Sequence, residues 1–299
     1  MRHSMSARGW MRYLIACAAS GLSLTPVGCA PGEADARLRV VATVAPIAAL
    51  VDRVSGGVAD VTVMIPPGAS PVTYEPALSR VRAAASADLY VSVGHPAFSW
   101  ESTWLAGLLE QGDAVVISGS EDCAILPDDP HVWLSLSCMR SLAESVAEAV
   151  RHARPEAAES IAASLAELLS GMDHMRVVAD SVLGPSRGGT FLTLHPAWGY
   201  LAEEYELRQL AILEHGSGDA GPAELARVVG EARQVGLVNV LVQPQFSAEA
   251  AVLVAQELGG EPIGLDPLAR DWPASCLRAV RVLGSQGGPG QRPQSSCAT

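Results

Sequence analysis

Short apolar runs alternate with helical stretches in two blocks of this chain, and one long region of different period separates them. In the first block, residues 37–44, 60–65, 89–93 and 114–117 read as strands, with helix-like segments at 46–54, 81–87 and 104–109 between them. Ser79 stands where a helix N-cap is expected. The second block repeats the rhythm, with strands at 190–194, 207–212, 238–243 and 261–265 and helices at 198–205, 224–234 and 248–258. Parallel strands need crossover connections, so strands separated by helices predict βαβ units and parallel sheets.

The middle region follows a helical period. Between residues 138 and 183 the notable breakers are Pro155 and Gly171, and Pro155 suits the first turn of a helix. Ile161, Leu165, Leu168, Met172, Met175 and Val182 then fall on one helical face. A helix over 155–183 would be roughly 40 Å long at 1.5 Å per residue, enough to run along a whole domain. The pattern therefore predicts an α/β protein: two lobes with parallel sheets flanked by helices, joined by one long spine helix. The expected division is an N-terminal lobe at 38–150, the connecting helix at 151–186 and a C-terminal lobe at 187–283. Residues 284–299, rich in Gly, Pro, Gln and Ser, read as a tail.

The N-terminus reads as a targeting segment. Arg2, Arg8 and Arg12 precede an uncharged, mostly apolar stretch over 13–28 that ends in small residues, as a secretory signal does. Pro26-Val27-Gly28-Cys29 is an imperfect lipobox, which makes Cys29 the expected lipidated first mature residue and 29–37 a tether; plain cleavage is the alternative. Removing residues 1–28 leaves 17 basic against 32 acidic residues, a net of −15, with no lysine anywhere. Such a surface repels nucleic acid and offers no basic patch to a membrane, leaving the lipid as the sole expected membrane contact. In an exported chain disulfides are permitted, and pairing within each half (Cys123–Cys138 and Cys276–Cys297) is the preferred reading, against free thiols.

Four side chains sit at proline-marked corners: His95-Pro96, Pro130-His131, His195-Pro196 and Asp266-Pro267. His95, His195 and Asp266 follow predicted strands, and in an open α/β sheet ligands bind beyond the carboxyl ends of the strands. Three imidazoles and a carboxylate suit a tetrahedral zinc ion. By contrast, His152 and His174 lie on predicted helices and His215 in an acidic, Gly-rich stretch, where surface or loop roles are expected.

Several strings resemble metal-binding solute-binding proteins of ABC importers, the periplasmic zinc-binding proteins most closely. They are Pro66-Pro67-Gly68-Ala69-Ser70-Pro71-Val72-Thr73-Tyr74-Glu75-Pro76, Asp129-Pro130-His131-Val132-Trp133-Leu134, His195-Pro196-Ala197-Trp198-Gly199-Tyr200 and Leu265-Asp266-Pro267-Leu268-Ala269, with Gln243-Pro244-Gln245-Phe246-Ser247 also matched. The resemblance implies ligand roles for His131, His195 and Asp266. It also implies a first ligand at the position of Val72, which cannot coordinate a metal. His95 is the candidate replacement, and Glu75 and Glu101 are candidate acceptors for an imidazole N–H. The histidine-rich loop of some zinc importers is missing, leaving Glu121, Asp122, Asp128 and Asp129 as weak gathering residues. Imidazole at the third ligand position favours Zn(II) over Mn(II).

The implied function is an extracytoplasmic receptor, monomeric, that captures Zn(II) between its lobes and delivers it to an ABC permease driven by an ATPase. Two alternatives remain at this level. A zinc hydrolase would use an open three-ligand site, although no HExxH or HxxEH string is present. A surface protein of the same fold, an adhesin or orphan, would bind metal weakly.

Overall fold

Every run predicted as a strand is built into one of two four-stranded parallel sheets in the computed structural model, which describes residues 37–110, 112–213 and 220–286. The first sheet holds β1 (Leu38–Ala42), β2 (Ala59–Val63), β3 (Leu89–Ser92) and β4 (Val115–Ser118) in the order β2-β1-β3-β4. The second holds β5 (Thr190–Thr193), β6 (Arg208–Ala211), β7 (Val240–Val242) and β8 (Pro262–Gly264) in the order β6-β5-β7-β8. Both halves thus share one plan: the chain steps outward for one strand, then returns past the first to lay down the rest. The reversal falls between β1 and β3 and between β5 and β7, where such sheets open a crevice for ligands. The central β3 is buried along its whole length, as expected for a strand covered by helices on both faces.

The helices are α1 (Ala45–Val54), α2 (Leu78–Ala85), α3 (Ser99–Leu109), α4 (Leu136–Ala153), α5 (Ala158–Leu183), α6 (Gly199–Glu204), α7 (Pro222–Val235), α8 (Glu249–Leu258) and α9 (Trp272–Gln286). At 26 residues, α5 is the spine, about 39 Å long at 1.5 Å per residue. Its face of Ile161, Leu168, Met172, Met175 and Leu183 is buried, and it packs against α1, α4 and α9. The described residues form one compact unit. The larger apolar core runs through the first sheet, across α5 and α9, and on to Phe191, Trp198 and Tyr205 of the second half. A smaller core fills the space between the second sheet, α7 and α8. No helix among the described residues is long and apolar enough to cross a membrane.

Several local readings are corrected. Ser79 is not a cap: α2 begins at Leu78, with Ala77 at the N-cap position and no side-chain bond there. The region before Trp104 is already helical from Ser99. Pro155 opens a short 3-10 turn, and the α-helix proper follows at Ala158. Residues 284–286, read as tail, complete α9, whose buried Trp272, Ala279, Val280 and Leu283 were not recognised as a helical stripe. Cys123 is paired with Cys138, Cα atoms 4.9 Å apart, which ties the preceding loop to the first turn of α4. Cys276 is a free thiol pushed up to about 12 by burial. Its expected partner Cys297, the signal at 1–28, Cys29, the tether before Arg37, His215 and the tail from 287 lie outside the described residues.

Glu101 was expected beside an imidazole and instead closes the ends of β1 and β3. Its carboxylate, 6% exposed, accepts from the Val93 and Gly94 amides at 2.7 Å each and from the Thr43 hydroxyl at 2.5 Å. Burial raises its pKa, while these three donors pull it down. Gly94 is required at that turn: it has φ +73°, and a Cβ there would collide with Ser118. A Glu101→Gln substitution sets an amide N–H against a backbone N–H that it cannot satisfy. The expected cost is about 2–3 kcal/mol, read as a melting temperature lower by roughly 5–10 °C.

Candidate metal centre

A cleft of about 700 Å³ opens where the strands of the two sheets end. Val72, in the loop after β2, and Phe98 and Trp100 at the start of α3 line one side. His195, Gln245, Phe246 and Leu268 line the other, with His131 between them.

His131 is held by the residue two before it. The Asp129 carboxylate accepts from both the His131 backbone N–H, at 3.0 Å, and the ring Nδ1, at 2.6 Å. That bond assigns the imidazole proton to Nδ1 and the ring lone pair to Nε2, the arrangement that presents Nε2 to a metal. Both residues are buried, so the bond forms with little competition from water. Behind His131 the chain makes a 3-10 turn over Val132–Leu134 and enters α4, capped by the Ser135 hydroxyl accepting from the Cys138 amide. Trp133, fully buried, sits edge-on to His131 at 5.1 Å and to Phe98 at 6.0 Å. Its indole N–H donates to the Pro267 carbonyl at 2.8 Å, linking the first half to the loop after β8.

His195 leaves the end of β5 beside the end of β7. Gln243, at the end of β7, takes the His195 N–H on Oε1 at 3.3 Å and gives its Nε2–H to the His195 carbonyl at 2.7 Å. The His195 ring stacks on Phe246 at 4.6 Å and meets the His131 ring at 5.3 Å. Asp266, after β8, accepts on Oδ1 from Gln245 at 2.7 Å and from the Leu268 amide at 2.9 Å.

The predicted ligands thus fare differently. His131 and His195 are brought together, while Asp266 is not itself among the lining residues, although its neighbours Pro267 and Leu268 and its hydrogen-bond donor Gln245 are. Among the described residues, no three His, Cys, Asp or Glu side chains are close enough together to hold an ion. His95 does not fill the space left by Val72: its ring is buried in its own half, Nδ1 accepting from the Ala97 amide at 3.0 Å and Nε2 donating to the Leu126 carbonyl at 2.9 Å. It is not among the residues that line the cleft. Val72 itself is 58% exposed. Glu75 is exposed and does not line the cleft, so Asp129, read from sequence only as a weak gathering residue, takes the orienting role expected of a glutamate. Gln243 and Gln245 were visible only as a matched string; their function needs the strand order.

The tight approach of Asp129 to the His195 segment explains Gly199, where a Cβ would strike the Asp129 carboxylate. Tyr200, next along, accepts from the Leu126 amide and donates to the Asp129 carbonyl, 3.2 Å each, and so fixes the loop that carries Asp129.

Two α/β halves on a stiff helix, with imidazoles from each half meeting over a cleft, define the receptor class that grips a small solute between lobes. The comparisons with known proteins agree. Residues 40–275 match the family of ZnuA, the periplasmic component A of the zinc-uptake complex, and the chain belongs to that family. That family is one of non-enzymatic solute-binding proteins, which speaks against the hydrolase alternative. The zinc-binding protein AdcA of Streptococcus pyogenes is 24% identical over 264 residues, and the zinc-binding lipoprotein AdcA of Streptococcus pneumoniae 26% over 257. Each alignment covers 79% of this chain and 51% of the relative, so the chain spans about half the length of these curated relatives. The crystal structure of ZnuA superposes with a TM-score of 0.78 at 25% identity, covering 84% of this chain and all of that one. The periplasmic zinc-binding protein TroA of Treponema pallidum shares the fold, with a TM-score of 0.74 at 17% identity over 84% of this chain and 99% of that one.

Replacing Gly199 with alanine is expected to push the Asp129 carboxylate off the His131 ring. The Nδ1–H resonance of His131 in imidazole NMR, present in the parent, would then be lost, while the melting temperature shifts by only a few degrees.

Proposed function

We propose that this chain captures Zn(II) outside the cytoplasmic membrane and hands it to an ABC permease powered by an ATPase. The observation that carries the reading is the meeting of His131 and His195, drawn from opposite halves, with His131 held by Asp129 at Nδ1 so that the ring lone pair lies on Nε2. Two imidazoles at one point favour zinc over manganese, which prefers more carboxylate oxygen. Asp266 is the proposed oxygen ligand, completing the set when the lobes draw together around the ion. With valine at position 72, the remaining coordination position falls to water. His95 is assigned a structural role.

The division into a lobe at 38–150, a spine at 151–186 and a lobe at 187–283 fits this mechanism, because the ligands then come from both sides of the spine. A signal at 1–28 and a lipid on Cys29 would keep the receptor at the membrane face where its permease sits. A monomer suffices, since both lobes of the site are in one chain. The relatives named as zinc-binding support the choice of ion, and the name of the pneumococcal relative, a lipoprotein, supports the anchor.

Titration of the metal-free mature protein with Zn(II) under chelator competition tests the reading. Loss of a ligand in His131→Ala or His195→Ala is expected to weaken binding by at least about 100-fold, more than the roughly 10- to 100-fold typical of an orienting partner such as Asp129→Asn. His95→Ala is expected to lower stability and leave affinity within about threefold. An imidazole must be neutral to bind metal, so affinity should fall as the medium is acidified. Equal affinity in the parent and both ligand variants would overturn the assignment.

A further inference from the structure

Residues 266–272 connect the proposed ligand Asp266 to α9, and they are gripped by the first half of the chain at two places. Near the cleft, Trp133 donates to the Pro267 carbonyl. On the outer side, Arg270 pairs with Asp52, and Arg53 stands 4.0 Å from Asp271. Asp52 and Arg53 are consecutive on α1, and Arg270 and Asp271 are consecutive before α9. The two dipeptides carry their charges in opposite order, so they match in one register: a slip of one residue along either chain would set like charges against each other.

We propose that Asp52-Arg53 and Arg270-Asp271 form a clasp across the lobe boundary that positions Asp266 relative to His131 and so sets how long the metal stays bound. The inference rests on the receptor reading above. The four side chains are between 39% and 70% exposed, and exposed ion pairs add little to overall stability. Their effect is positional. Only Pro267, Leu268 and Ala269 separate Asp266 from Arg270. Pro267 has a fixed φ and restricts the residue before it, and Leu268 is buried. The segment is fixed beyond the clasp as well, since Ser275 donates to the Asp266 carbonyl at 2.6 Å and Asp271 accepts from the Ala274 amide at 3.4 Å. With so little slack, displacement at 270–271 moves the carboxylate at 266. Aspartates and arginines elsewhere on α5 and α9 do not substitute, because the partners across the boundary are on α1.

The test uses the full mature chain in four forms: parent, Asp52→Arg, Arg270→Asp and the double swap. Zn(II) release into excess chelator is followed by stopped flow, and amide exchange over 266–272 is followed in the metal-free protein. Each single reversal is expected to release zinc about fivefold faster, the scale of one ion-pair coupling, and to expose the 266–272 amides. The double swap, which restores the pairing with charges exchanged, is expected within about twofold of the parent on both readouts. Parent release should also quicken in 1 M salt, where the screening length falls to about 3 Å. Unchanged exchange in the single variants would show that no clasp exists, and altered exchange with unchanged release would show that it does not position Asp266. Either result overturns the proposal. A parent that takes up no metal overturns the receptor reading itself and the coupling with it, and exchange over 266–272 tells that failure apart from failure of the clasp.

Discussion

Packing along α5 is the constraint on which the cleft depends. One buried face, from Ile161 to Leu183, contacts α1 and α4 on one side and α9 on the other, and the larger core continues through it into the second half. Apolar contact of this kind is dense and resists deformation. It fixes the distance between the carboxyl ends of two sheets that have no strand in common. Only with that distance fixed can a ring at position 131 meet a ring at position 195. A flexible linker in place of α5 would leave the same side chains without a common point.

On that frame, each proposed ligand is aimed by a neighbour whose own place the fold dictates. Asp129 holds the ring of His131; Gln243 holds the backbone of His195 from the adjacent strand; Gln245 and the Leu268 amide hold the carboxylate of Asp266. Such partners matter because an imidazole or carboxylate that is free to rotate loses much of its entropy when it binds an ion. The large aromatic groups serve the same end. Phe246 backs His195, and Trp133, itself packed on Phe98, backs His131, excluding water from bonds that weaken when hydrated. A stiff spine with aimed ligands suits a receptor whose lobes need move only slightly.

The departure at Val72 leaves the frame unchanged and, on the proposed receptor reading, removes one ligand. Its loop still lines the cleft, but an exposed isopropyl group stands where the resemblance implies an imidazole. His95 cannot compensate, because Gly94 and Glu101 commit the end of β3 to a tight turn whose hydrogen bonds use both nitrogens of that ring. Glu101 is thus a buried charge kept for the strand end, and its raised pKa reflects burial more than any catalytic task. Perturbed carboxylates often mark functional sites; here the perturbation belongs to the scaffold beside one.

Much of this was legible in the chain. The eight strands, the long helix and the two-lobed plan follow from hydrophobic period, a property each segment carries by itself. The short matched strings around 131 and 195, and the Pro267-Leu268 pair of the third, supply residues that line the cleft, since proline-marked corners are local features. Helix starts at Ser99 and Trp272 were missed because tertiary burial, not a cap or a run of strong helix formers, sustains them. What tertiary structure alone decided was convergence and direction. Whether His95 bonds to Leu126, whether Tyr200 holds the loop that carries Asp129, and whether Arg270 reaches Asp52 all depend on contacts between residues dozens to hundreds of positions apart. No periodicity encodes such distances. They arise only when the packing of α5 closes the two halves on each other.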